Sequence, residues 1–205
     1  MEGQDYLNQI SAKAQPVKQT KGGGILHSKF FLVGMIGLIV LILIIVLGAI
    51  LGSNKGSEKT LSIKLELHLS ATSDVVKTYQ PDVKSSQLRS NSASLKTILL
   101  DTDKALKDYL TEKYDYKTSN ADKKLVEKAN AEKETLDKTL FEAKINGELD
   151  RVFAQKMAYE ITIILNEEAK ILRATKNSTL QEIINQSYNS LKILYDKFND
   201  FSEAS

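Results

Sequence analysis

The run FFLVGMIGLIVLILIIVLGAIL, Phe30 to Leu51, holds 22 residues without a charge or a strongly polar group. As a helix rising 1.5 Å per residue it covers about 33 Å, against a bilayer hydrocarbon core of about 30 Å. A cleaved secretory leader has an apolar region of only about 7 to 15 residues and a small-x-small cleavage site. Around the end of the run, LGAILGS at 47–53 never puts two small residues in those places. The run therefore reads as an uncleaved transmembrane anchor. Gly48 and Gly52 form a small-xxx-small pair near its end. That spacing lets two membrane helices approach closely, so they are candidate contact positions between spans.

The flanks set the expected orientation. Residues 10–29 carry Lys13, Lys18, Lys21 and Lys29 without an acid, whereas residues 52–71 carry Lys55, Lys59 and Lys64 together with Glu58 and Glu66. Short segments rich in lysine stay inside, and long domains translocate largely regardless of their charge. This predicts a disordered cytoplasmic tail over 1–29, a transmembrane helix over 30–51, a linker over 52–59 and an extracytoplasmic domain over 60–205. The chain has no cysteine, which fits an exported domain that needs no disulfides and a reducing compartment equally well.

Charge narrows the partners. The chain carries 28 basic and 26 acidic residues; residues 1–51 hold four lysines and two acids, Glu2 and Asp5, leaving 24 of each sign beyond them. A neutral domain with interleaved signs lacks the extended basic face that releases counterions from a phosphate backbone, so no nucleic-acid partner is expected. The expected partners are the lipid bilayer and either another protein or further copies of this chain.

Beyond the linker the apolar spacing is helical. Punctuation at Gln80-Pro81, Lys117-Thr-Ser-Asn120, Asn146-Gly147 and Ser178 with Gln181 divides it into helices near 58–79, 82–116, 120–146, 148–175 and 178–202. The fold class expected is all-α: a single N-terminal transmembrane helix, then an elongated, antiparallel, coiled-coil-like bundle of about five helices. The last helix has the clearest stripe, from Leu180 through Ile184, Leu191 and Leu194 to Phe198. The third has a thin seam of Leu125, Ala129, Leu136, Leu140 and Ala143, as befits a peripheral helix. SNSAS at 90–94 is a poor helix former and suggests a kink.

LSIKLELHL, Leu61 to Leu69, alternates strictly, as a half-buried strand does. No other segment offers it a partner with turn chemistry between, so it reads as a helix. Such a helix is apolar on two sides and belongs inside the bundle or against a second copy.

Few positions suggest chemistry. Glu168 points into the apolar arc of the fourth helix, and Glu132 occupies a comparable place on the third, so both are candidate positions for a buried polar pair. An unpartnered buried carboxylate costs several kcal/mol or becomes neutral. Tyr114 and Tyr116 lie where the chain returns toward the membrane, and tyrosine favours the headgroup layer, which makes them candidate membrane or partner contacts. His68 falls on the packed side of the first helix and reads as a hydrogen-bonded structural residue. No G-x-S-x-G, H-E-x-x-H or G-x-x-x-x-G-K-[ST] occurs, and His27 and His68 are the only histidines. No catalytic residue, metal ligand or cofactor is assigned. The function expected is a non-enzymatic scaffold or docking component of the cell envelope. The alternatives are a ligand-binding or sensory outer domain working with a separate signalling partner and, behind that, an envelope hydrolase using two opposed carboxylates.

Overall fold

The computed structural model describes residues 57–204. The predicted tail, the apolar run and its Gly48 and Gly52 lie outside them, and among the described residues no helix is long and apolar enough to cross a membrane. The described chain forms five α-helices and no strand: α1 Glu58–Tyr79, α2 Ser86–Tyr114, α3 Lys123–Ile145, α4 Leu149–Ala174 and α5 Ser178–Ala204. They pack as a helical bundle around one core.

Local chemistry explains each boundary. Ser57 Oγ accepts from Thr60 N–H at 3.2 Å and caps α1. Pro81 sits in a short 3-10 turn, Gln80–Asp82, rather than at the start of the next helix. Helix α2 begins four residues later than the spacing suggests. The Asp150 carboxylate takes the Lys84 and Ser85 N–H groups at 2.8 and 2.7 Å, and Ser85 Oγ then accepts from Leu88 N–H. Asp115, at φ 47°, ends α2 in a left-handed turn. SNSAS does not break it: Ser92 Oγ donates to Leu88 O at 2.6 Å and the helix runs on. Asp122, not the Thr-Ser-Asn stretch, caps α3 through Lys124 N–H. Gly147, at φ 75°, closes α3 as expected, with Glu148 N–H donating to Ala143 O. Asn177 caps α5 through Leu180 N–H, while Gln181 reaches back to Thr175 O.

Helix α1 is the centre of the bundle, packed against α2, α3 and α4. Hence LSIKLELHL needs apolar residues on both sides: Leu65 and Leu69 are fully buried, and Ile63 and Leu67 nearly so. Ion pairs give the directions. Glu58 meets Lys113 and Glu66 meets Lys107, so α2 runs against α1; Lys64 meets Glu167 and His68 meets Glu160, so α4 does too. Asp74 meets Lys133 and Asp82 meets Lys144, so α3 runs alongside α1 in the same sense. Helices α4 and α5 close the core through Phe153 and Phe198, whose ring centroids are 6.4 Å apart. Helix α3 is peripheral and buries only Leu136, Leu140 and Ala143.

Candidate functional site

A groove of about 470 Å³ opens between α3 and α4, walled by Leu136, Tyr159 and Ile163 and floored by Lys64 and His68 of α1. Its floor is a charge cluster. His68 Nδ1 lies 3.1 Å from Glu167 Oε2, and Nε2 lies 3.0 Å from Glu160 Oε2. Lys64 Nζ is 2.9 Å from the other Glu167 oxygen. Burial alone pushes His68 down, but hydrogen bonds to Glu160 and Glu167 override it and raise the imidazole to about 9. Burial likewise works against the Glu167 charge, and His68 and Lys64 more than offset it, holding that carboxyl below its ordinary value. At neutral pH the ring is therefore an imidazolium donating both N–H groups. Among the described residues no group of three or more His, Asp or Glu is arranged to hold a metal ion.

A second cluster closes the end of the bundle where α1 begins. Glu58 Oε1 accepts from Tyr109 Oη at 2.6 Å, Lys113 Nζ at 2.7 Å and Tyr114 Oη at 2.9 Å, and Oε2 accepts from Thr175 Oγ1 at 2.7 Å. Burial would raise Glu58, yet these four donors, Lys113 foremost, lower it to about 2. One carboxylate thus ties the first turn of α1 to the end of α2 and to the joint between α4 and α5. Two turns on, the fully buried Glu66 accepts from Tyr116 Oη at 2.8 Å and pairs with Lys107 at 3.2 Å.

These contacts relocate the tyrosines singled out in the sequence. Tyr116 is buried, with its hydroxyl on Glu66, and Tyr114 is half-buried, edge-on to Tyr109 and bound to Glu58. Both hold the bundle together, so Tyr116 in particular presents no ring to a membrane. Glu132 and Glu168, the candidate positions for a buried polar pair, lie in different surroundings. Glu132 is exposed on α3 beside Lys128 at 3.7 Å, because that side of the seam faces the groove rather than the core. Glu168 is fully buried, as its place in the apolar arc implies, and neither carboxylate oxygen has a hydrogen-bond partner. Burial, with the Glu167 charge next to it, pushes Glu168 up to about 8. The Ser187 hydroxyl of α5 tempers that rise without being placed for a hydrogen bond.

Sequence reasoning placed His68 correctly as a bonded residue but missed its partners Glu160 and Glu167 and the Glu58 clamp. The available signal was weak: polar residues on a helix apolar on two sides must find partners on its neighbours. Compared with protein-family models, with curated proteins and with solved structures, the chain has no match in any of the three.

Proposed function

We propose that the chain is a single-pass membrane protein of the cell envelope. Phe30–Leu51 is the span, and the helical bundle outside it is a non-enzymatic scaffold that docks another envelope protein or further copies of itself. The observation that carries this reading is the 22-residue apolar run followed, after residues 52–57, by helix α1 at the centre of the bundle. The charged groups around α1 support a structural role. Glu58, Lys64, Glu66 and His68 each hold one helix to another.

The test places a cysteine at Ser202 of the cysteine-free chain and adds an impermeant thiol reagent to intact cells. Labelling before lysis is expected; labelling only after lysis overturns the exported topology. Crosslinking in the same cells should recover a protein partner or a self-oligomer, and recovery of neither overturns the scaffold role. A second reading, a ligand-binding outer domain, draws support from the groove above His68, whose volume suits a small organic molecule. A Tyr159→Ala or Ile163→Glu change that abolishes partner capture while leaving the fold intact assigns the groove to the scaffold role instead.

A further inference from the structure

The groove between α3 and α4 is lined by charged groups of two kinds, those spent on the fold and those left open. Lys64, His68 and Glu167 are spent, since Lys64 and His68 each donate to one Glu167 oxygen. Glu160 is half spent: Oε2 accepts from His68, and Oε1 is left without a hydrogen bond. Glu132 lies beside Glu160 over His68 and is held only by Lys128 at 3.7 Å, with both side chains more than half exposed. Lys156, half-buried in the groove wall, enters no ion pair or hydrogen bond among the described residues. The open groups are thus two cations, Lys128 and Lys156, and two acids, Glu132 and Glu160. An apolar wall runs between them. The Tyr159 side chain is 61% exposed there, with Ile163 one turn on and Leu136 on the facing helix.

Those groups discriminate between ligands. Lys156 and Glu160 are one turn apart on α4, about 6 Å of rise. A simple anion on Lys156 therefore sits near the Glu160 carboxylate, and a simple cation on Glu160 sits near the Lys156 ammonium. Each meets a like charge. A molecule with a carboxylate at one end and an ammonium at the other satisfies both, and two open cations against two open acids call for no net charge. Spacing sets its length: two or three extended residues span roughly 7–10 Å, whereas a free amino acid carries its two charges on one Cα. We propose that the groove binds short apolar peptides with free termini, the carboxylate on Lys156, the ammonium on Glu160 and Glu132, and the side chains against Tyr159, Ile163 and Leu136. Charge-assisted hydrogen bonds fix the direction of the peptide, and the apolar wall supplies contact area. This inference rests on the ligand-binding reading of the groove and adds the class of ligand and its orientation.

The full chain has no tryptophan, so Tyr159→Trp places a single fluorescent reporter on the groove wall. In lipid nanodiscs it is titrated with trileucine, N-acetylated trileucine, trileucine amide, leucine, phenylacetate and phenethylamine. The melting temperature of the unaltered chain, followed by circular dichroism, checks each result without the substitution. Trileucine should saturate the signal and raise the melting temperature, and blocking either terminus should weaken binding about tenfold. Lys156→Gln should weaken trileucine about tenfold and erase its advantage over the amide. Glu132→Gln should shrink its advantage over the acetylated form, with helix content unchanged in both variants. Blocked peptides or leucine binding as tightly as trileucine, or an advantage over the amide that survives Lys156→Gln, overturn the peptide assignment. So does a response to phenylacetate or phenethylamine alone, and each of these results leaves the ligand-binding reading standing. No response to any of these compounds overturns the assignment and removes the support that the groove gives to that reading.

Discussion

Helices α1 and α3 have nearly the same length, 22 and 23 residues, run in the same direction and lie side by side, yet they handle charge in opposite ways. Helix α1 carries Glu66 and His68 into the core and gives each a partner on another helix. Helix α3 keeps its acids and lysines in water, with pairs such as Lys128–Glu132 across one turn. A buried charge that loses its partner is left desolvated, whereas an exposed one is simply rehydrated. Buried polar pairs are therefore poor sources of net stability but strong constraints on register. A one-turn slip of α1 would leave Glu66 and His68 facing apolar side chains.

The largest expected effect is on α1. Glu66→Ala strands the Tyr116 hydroxyl and leaves Lys107 with Asp103 alone, and His68→Ala strands Glu160 and leaves Glu167 with Lys64 alone; each should lower unfolding free energy by about 3 kcal/mol in urea titrations. If either loses less than a surface pair does, the contrast between the helices is broken. Glu168 supplies the opposite sign. With its carboxyl raised from about 4.5 unfolded to about 8 folded, the native state binds the extra proton, so its contribution falls as pH rises through that window. Glu168→Leu should then gain about 3 kcal/mol at pH 7–8 and little at pH 4. An equal gain at both pH values would show that shape rather than charge is responsible.

The pH profile sharpens the comparison further. His68, raised from 6.5 to about 9, stabilises the fold fully below 6.5, and that contribution is lost as pH rises to 9. Glu58, lowered from 4.5 to about 2, stabilises it above 4.5, and that contribution is lost on acidification to 2. The melting temperature should therefore peak near pH 5 and decline toward pH 9. Glu168→Gln should flatten the decline between pH 4.5 and 8, while His68→Gln should flatten it between pH 6.5 and 9. The smallest effect belongs to α3: Lys128→Ala or Glu132→Gln should change stability by about 0.5 kcal/mol or less.

Much of the fold was legible because helix signals are local. The stripe from Leu180 to Phe198 packs as its spacing requires, Gly147 closes α3, and α1 is a helix despite nine alternating residues. The misses lie where distant atoms intervene. Asp150 delays the start of α2 from 65 residues away. SNSAS stays helical because Asn91 and Ser92 are buried against the bundle, where tertiary packing outweighs propensity. Glu132 and Glu168 look alike on a helical wheel, but α3 has only one neighbour-facing strip whereas α4 is wrapped by α1, α3 and α5.

By itself, the sequence determined where each helix lies, roughly where it stops and which face is greasy, because caps, glycine turns and apolar spacing act over a few residues. Only the tertiary structure decided which charges face each other. Glu58 collects donors from two separate stretches, and His68 stands between two carboxylates more than ninety residues on. The reason is physical: spacing along a helix sets the direction of a side chain, but its electrostatic surroundings depend on which helices lie beside it.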